Sequence, residues 1–263
     1  MSVGIITGSG GDSLDGLELG RSEEVATRFG LARLNFGRVA GVDVVQISRH
    51  GDGHARLSNH INHRANVVAL REANVDCVVG LTACGAVDPE IELGSLVLFD
   101  DLYFPDNRLS DGTLCSLHDQ PGAPGRGHWI FDNPFSESLR AALLHALTDI
   151  GIAVRDGGTY GHVDGPRFNS RSEVRALAAC GVAAISQTGG PETVLCGEAG
   201  LPYALVGYPT DYANGVPPEP TPLPELMALV ERSAGIFAAA LSAALPAVAS
   251  ARIEAAGSHV SWD

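Results

Sequence analysis

The chain alternates short apolar runs with amphipathic stretches, and most of the apolar runs end in glycine or polar residues. Runs rich in β-branched residues predict strands over residues 3–6, 42–47, 77–81, 95–99, 158–163, 182–186 and 203–208. Helical patterning predicts helices over residues 60–73, 135–150, 172–179, 191–200 and 224–245. This alternation is typical of a single α/β domain with a central mixed β-sheet flanked by helices. We expect residues 1–263 to form one such domain, with a loosely ordered tail from about residue 250.

In folds of this class, ligands bind beyond the carboxyl ends of the strands. The residues that follow the predicted strands are polar, small or charged, and they are Ser9, Arg49, His50, Thr82, Ala83, Gln187, Thr188 and Asp211. Because parallel strands end at the same edge of a sheet, we expect these residues to converge on one site. The irregular stretch 104–134 adds a long loop, and a loop of this length in a compact domain is more often functional than idle.

The bulk properties of the chain limit its partners. Its formal net charge of -14 disfavours nucleic acid and anionic membranes, because both need basic patches. The N-terminus lacks the pattern of a signal peptide, and the apolar stretch Ala234–Ala249 is too short and too weakly hydrophobic to span a bilayer. The five cysteines form no C-x-x-C pair, so we interpret them as reduced, buried thiols. We therefore expect a cytoplasmic protein that binds small molecules.

Two features near strand ends are compatible with a bound phosphate. The glycine-rich loop 8–11 matches neither the dinucleotide fingerprint nor the Walker A pattern. It is either a backbone nest in which Ser9 contacts an anion, or a tight turn without a ligand. Arg49 has the forked donors that suit phosphate oxygens, and the alternative is a surface arginine in a salt bridge. An acidic chain can still bind phosphate, because the pocket needs only one or two cations and a few backbone N–H groups.

Other candidate chemistry rests on single residues or short matches. Asp211 follows an apolar strand, and a buried carboxylic acid there could protonate a leaving purine, whereas a loop carboxylate or helix cap is the structural alternative. The histidines at 54, 60 and 63 lack the carboxylate or cysteine that would complete a metal site. The segment 11–14 spells the tetrapeptide of a serine esterase family, but the partner Asp-x-x-His near the C-terminus is missing.

Five segments occur in the order found in one enzyme family. They are residues 47–72, 82–101, 164–173, 188–204 and 210–212. Through them the chain resembles the methylthioadenosine phosphorylases and purine nucleoside phosphorylases of the trimeric type, from residue 4 to about 245. The resemblance implies a homotrimer that cleaves a purine nucleoside with inorganic phosphate through an oxocarbenium-like transition state. It also implies that no metal or cofactor takes part, with phosphate as the co-substrate.

The resemblance assigns roles to particular positions of this chain. It implies a phosphate site formed by Ser9, Arg49, His50, Thr82, Ala83 and Thr188. It implies that Asp211 faces the ring nitrogen that gains a proton, and that Phe168 stacks near the purine with Asn169 beside it. Gln187 falls at the ribose hydroxyls, and Asn214 lies near the base. His128 falls where the family donates a histidine across a subunit interface, towards the 5′ end of the nucleoside.

Three positions depart from the family pattern and leave the substrate open. Gln187 replaces a methionine, Asn169 replaces a serine, and Ala213 stands where adenine-specific members carry a second aspartate. Because an asparagine amide can donate or accept, either adenine or a 6-oxopurine fits, and the 5′ group can be methylthio or hydroxyl. We expect a 5′-deoxy-5′-methylthio nucleoside. A phosphorylase of 5′-hydroxy nucleosides, a nucleoside hydrolase on the same fold and a non-catalytic binding protein are the alternatives.

Overall fold

The computed structural model describes residues 1–8 and 16–262. The strands in these residues are β1 (Ser2–Thr7), β2 (Glu18–Thr27), β3 (Gly30–Val39), β4 (Val42–Ser48), β5 (Cys77–Ala86), β6 (Leu96–Leu98), β7 (Asp101–Tyr103), β8 (Gly127–Ile130), β9 (Val154–Asp156), β10 (Thr159–His162), β11 (Val182–Ser186), β12 (Tyr203–Tyr212) and β13 (Ser258–Ser261). The α-helices are α1 (His63–Glu72), α2 (Glu137–Asp149), α3 (Arg171–Ala179), α4 (Gly189–Glu198) and α5 (Leu223–Ser250).

Eleven of these strands form one mixed sheet, which confirms the predicted fold class. The main path runs β2-β3-β4-β1-β5-β11-β10-β7, and β12 pairs with both β5 and β6. The neighbours β4, β1, β5 and β12 are parallel, so their carboxyl ends lie at one edge of the sheet. The strand β11 joins the second half of β5 in the antiparallel direction. The carboxyl end of β11 is thereby brought beside the carboxyl end of β5, with Ile185 opposite Gly85.

The two faces of the sheet are covered by different helices, because successive side chains of a strand point to opposite faces. On β1, Ile6 packs in the cluster that contains residues of α1 and α4. Val3 and Ile5 of the same strand pack in the cluster that contains residues of α2 and α5. The short helix α3 covers a third cluster around Val174 and Ile185. Every strand of the central parallel group is therefore buried on both faces, as its continuous apolar runs indicate.

The helix α5 is longer than the apolar stretch seen in the sequence. Its best 18-residue window has a mean hydropathy of 1.6, so by length and composition alone the helix could cross a membrane. In the fold, 44% of that window is buried. Phe237, Leu241 and Leu245 pack with the sheet and with α2, in the manner of the core helix of a globular domain.

Several strands lie outside the sequence expectation, namely the hairpin β2–β3 and the short strands β7, β8, β9 and β13. The hairpin β2–β3 was not predicted, because its strands carry mostly polar residues and only Ala32, Leu34 and Val39 of β3 are buried. The loose order expected of the tail stays a prediction, and residues of this tail contact the domain. Beyond α5, the Ser136 hydroxyl donates to the Glu254 carbonyl at 2.6 Å, and β13 pairs antiparallel with β8. A short polar strand has no apolar run, so its partner β8, about 130 residues earlier, could not be read from the sequence.

Candidate functional site

A cavity of about 310 Å³ opens at the carboxyl ends of the parallel strands. Its walls bring together ten of the predicted site residues: Arg49, His50, Thr82, Ala83, Phe168, Asn169, Gln187, Thr188, Asp211 and Asn214. Ser9 lies outside the described residues. The volume is at the lower end of the range for small-molecule sites in proteins. The strand-end residues therefore converge on a single pocket, and their proposed roles can be examined by geometry.

Arg49 is buried behind one wall of the pocket, with 1% of its surface exposed. Its Nε and Nη2 atoms donate to the two carboxylate oxygens of Glu192 at 2.7 and 3.0 Å. Nη1 donates to the Leu81 carbonyl at 2.7 Å, and Nη2 also reaches the Ile6 carbonyl at 3.2 Å. One Nη1 hydrogen is left without a partner among the described residues. The alternative of a surface salt bridge is therefore excluded, because this ion pair lies in the interior of the domain.

Glu192 was missed as a site residue by sequence reasoning. It lies in the first turn of α4, is 1% exposed, and also accepts a hydrogen bond from the Tyr203 hydroxyl at 3.0 Å. Burial raises the pKa of Glu192, and the neighbouring Arg49 guanidinium opposes that rise. A glutamate inside an otherwise apolar helix segment, PETVLC, is the signal that could have indicated it.

The N-terminus of α4 faces the same side of the pocket. Thr188 is the N-cap residue, and its side chain makes no capping hydrogen bond. The helix begins with Gly189 and Gly190, and a Cβ atom at Gly190 would lie 2.6 Å from the Cβ of His162. Glycine therefore allows the helix to begin close against β10. Backbone N–H groups at a helix N-terminus, beside Thr188 and Arg49, make this wall suitable for an anion.

His50 lies on the rim of this anion wall. Its Nδ1 atom is 2.8 Å from the carbonyl oxygen of Arg56, and because a carbonyl only accepts, Nδ1 carries a proton. The ring stacks on His54 with centroids 4.0 Å apart. His63 is buried near Glu192, apart from that stack. In the part of the chain that the structure describes, no three His, Cys, Asp or Glu side chains are grouped to hold a metal ion.

Asp211 lies near the end of β12, on the pocket wall, rather than in a loop after it. Burial raises the pKa of its carboxyl group from the ordinary value to about 6. The Thr210 hydroxyl donates to Oδ1 at 3.1 Å and opposes this rise. A carboxyl group with a pKa near 6 holds a proton in a sizeable fraction of molecules near neutral pH, which suits a general acid.

A further part of the pocket wall consists of loop residues. Phe168 is 66% exposed, and the Asn214 side-chain amide donates to the Asn169 carbonyl at 2.7 Å. The Gln187 amide is held from both sides. Its Nε2 donates to the Arg167 carbonyl at 3.1 Å, and its Oε1 accepts from the Ser58 hydroxyl at 2.7 Å. Since a backbone carbonyl only accepts, the nitrogen of the amide must face Arg167, and the amide orientation is fixed.

His128 does not line this pocket. It is exposed on β8, where its ring meets Trp262 edge-on with centroids 6.2 Å apart. An exposed position outside the pocket of its own chain is compatible with the expectation that this histidine serves a neighbouring subunit. That role stays a prediction.

The chain is similar to known proteins over most of its length. The family model described as "Phosphorylase superfamily" matches residues 2–246. A probable 6-oxopurine nucleoside phosphorylase of Thermococcus kodakarensis is 35% identical over 233 residues, which are 86% of each chain. An S-methyl-5′-thioadenosine phosphorylase of Danio rerio is 36% identical over 81% of this chain and 76% of its own length. A methylthioadenosine phosphorylase from Schistosoma mansoni, solved in complex with adenine, superposes with a TM-score of 0.83 at 25% identity, covering 95% of this chain and 92% of that one.

Proposed function

Since this chain belongs to the phosphorylase superfamily, we propose that it cleaves a purine nucleoside with inorganic phosphate, giving the free base and a ribose-1-phosphate derivative. The observation that carries the proposal is that one pocket contains both an anion-binding wall and a buried carboxylic acid. One wall offers a guanidinium, a helix N-terminus and the Thr82 and Thr188 hydroxyls, which suit an anion. The other wall offers Asp211, a buried acid that can protonate a leaving base.

The proposed reaction needs only these groups. Phosphate at the anion wall attacks the anomeric carbon, so a C–O bond forms as the glycosidic C–N bond breaks. The electron pair of the C–N bond stays on the purine, and Asp211 delivers its proton to a ring nitrogen and is left as a carboxylate. The fixed donors at the anion wall position the nucleophile without reorganising. No cofactor or metal is part of this proposal, and inorganic phosphate is the co-substrate.

We propose a 5′-deoxy-5′-methylthio nucleoside as the first substrate to test. Relatives named for 6-oxopurine nucleosides and for methylthioadenosine match the chain about equally, so both base types belong in the test. Leu57, Leu226 and Val230 contribute apolar side chains to the pocket wall, which supports an apolar 5′ substituent over a hydroxyl. We further propose a homotrimer in the cytoplasm, in which His128 of one subunit serves the pocket of the next.

The test is release of free base from methylthioadenosine, methylthioinosine, adenosine, inosine and guanosine, each with and without phosphate. Phosphate-dependent release from one or more of them is the expected result, and the preferred nucleoside identifies the base and the 5′ group together. Release that does not depend on phosphate would identify a hydrolase instead. Absence of release from all five would contradict the proposal. Light scattering of the eluting protein tests the trimer separately.

A further inference from the structure

A chain of hydroxyl groups runs from the buried start of α4 to the pocket wall. The Gly189 backbone N–H donates to the Tyr160 hydroxyl at 2.9 Å. The Tyr160 hydroxyl is 2.7 Å from the Ser186 hydroxyl, which in turn is 2.8 Å from the Thr82 hydroxyl. Tyr160 is fully buried and does not line the pocket, whereas Ser186 and Thr82 both do. The chain therefore connects an interior tyrosine with a hydroxyl at the anion wall.

The direction of the hydrogen bonds follows from the last acceptor. At the interior end, the Gly189 N–H can only donate, so the Tyr160 oxygen accepts from it. At the pocket end, the Ala83 carbonyl can only accept, so the Thr82 hydroxyl donates to it at 3.1 Å. Because Thr82 has a single hydroxyl hydrogen, Ser186 must donate to Thr82, and Tyr160 must then donate to Ser186. Thr82 is thereby held as a donor. A bound anion offers a stronger, charge-assisted acceptor for that hydrogen.

The position of Tyr160 makes this direction stable. Burial raises the pKa of its hydroxyl well above the ordinary value, so the tyrosine keeps its proton at any physiological pH. Its ring packs edge-on against Phe99 with centroids 5.2 Å apart, which holds the hydroxyl in place. Linked hydrogen bonds in a low-dielectric interior also strengthen one another.

We propose that Tyr160 and Ser186 are positioning residues that hold the Thr82 hydroxyl as a hydrogen-bond donor to phosphate. This inference rests on the proposed function, because it takes phosphate as the anion of the pocket. Its distinctive consequence is that the Tyr160 hydroxyl, which does not line the pocket, strengthens the binding of phosphate and not that of the nucleoside.

Tyr160→Phe removes the hydroxyl and keeps the ring. The Thr82 hydroxyl then remains but loses the hydrogen bonds that orient it, so the KM for phosphate should rise by about three- to tenfold, the contribution of an ordinary hydrogen bond. The KM for the nucleoside and kcat should stay within about twofold. Ser186→Ala interrupts the same row of hydroxyl groups one step nearer the pocket. It should likewise raise the KM for phosphate more than the KM for the nucleoside. Tyr208→Phe is the matched control, since Tyr208 is a buried tyrosine that packs against Phe237 and does not line this pocket.

A double-mutant cycle with Thr82→Val identifies the route of the effect, and titration calorimetry with inorganic phosphate measures binding independently of turnover. If the row of hydroxyl groups acts through Thr82, Tyr160→Phe should not weaken phosphate binding further in the Thr82→Val background. An equal loss in both backgrounds, or equal changes in the two KM values, would overturn the inference. Phosphate binding that follows the expected pattern without phosphate-dependent base release would sustain the inference and refute the proposed reaction. A wild-type protein that binds no phosphate would overturn both.

Discussion

The two ends of the pocket are built in different ways. At the anion end, Arg49 is bound to Glu192, Leu81 and Ile6, and all of these groups are buried between the sheet and α4. At the other end, Phe168 is largely exposed and the asparagine contacts join one loop to another. The first end is therefore held by the core of the domain, and the second is held by surface segments.

This difference separates two requirements of the proposed reaction. An attacking phosphate must be held by donors that do not reorganise during the reaction, and a rigid interior provides such donors. A site for different bases and 5′ groups can be formed by loops, which change without disturbing the core. Variants at the anion end should therefore change both the unfolding free energy and the binding of phosphate. Variants at the loop end should change only the binding of the nucleoside.

The largest expected effect is at the buried ion pair. Glu192→Ala leaves the Arg49 guanidinium in the interior without its carboxylate, and removal of one partner from a buried pair costs about 3–5 kcal/mol of unfolding free energy. Denaturant unfolding of the variant measures this loss. Asp43→Ala is the matched control, because it breaks an ion pair of the same 2.7 Å length with Arg38 on the surface, where both side chains are more than half exposed. The control should lose far less, because exposed ion pairs contribute little to stability. Equal losses in the two variants would contradict the difference between interior and surface.

The second-largest effect is expected at Asp211, the proposed general acid. Asp211→Ala should lower kcat by about 10²-fold or more, because the purine would leave without its proton. Single-turnover base release measures the chemical step, and the KM for phosphate should hardly change. A variant with activity near that of the wild type would remove Asp211 from the reaction.

The rule that ligands bind beyond the carboxyl ends of the strands predicted much of this site. The reason lies in how the residues of the site are placed. Thr188 and Asp211 lie at or near a strand end. Thr82 follows the apolar run 77–81, although β5 continues to Ala86. Local patterns were therefore enough to place these residues on one edge of the sheet. Glu192 could not be found in that way, since its partner Arg49 is 143 residues away and neither flanking pattern indicates the other. Tyr160 lies on a buried strand, where its hydroxyl reads as an ordinary core residue.

Contacts between distant residues also limited how much of the fold could be predicted from the sequence. The central strands were predicted because they are buried on both faces and therefore have continuous apolar runs. The hairpin β2–β3 and the pair β8–β13 have exposed polar faces, and their stability comes from pairing with distant partners. The family resemblance added the order of the segments, which no single motif contains.

The pH dependence of turnover tests the acid more finely. The carboxyl group of Asp211 has a pKa of about 6, and only its protonated form can deliver a proton. The value of kcat/KM should therefore fall as the pH rises above about 6, by up to about tenfold per pH unit. Asp211→Asn should lose this descending limb and keep any dependence that comes from phosphate itself. A wild-type profile that rises through the same range would contradict the assignment.

The smallest expected effect is at the loop end. Phe168→Ala removes the aromatic ring for which we propose stacking on the base, and such stacking contributes about 1 kcal/mol. The KM for the nucleoside should rise by about fivefold, while the KM for phosphate and the unfolding free energy should remain at the wild-type values. Leu31→Ala is a suitable control, because Leu31 is 57% exposed on β3 and does not line the pocket. If Phe168→Ala instead raised the KM for phosphate, the two ends would be coupled, and binding of the nucleoside would have to order the anion wall.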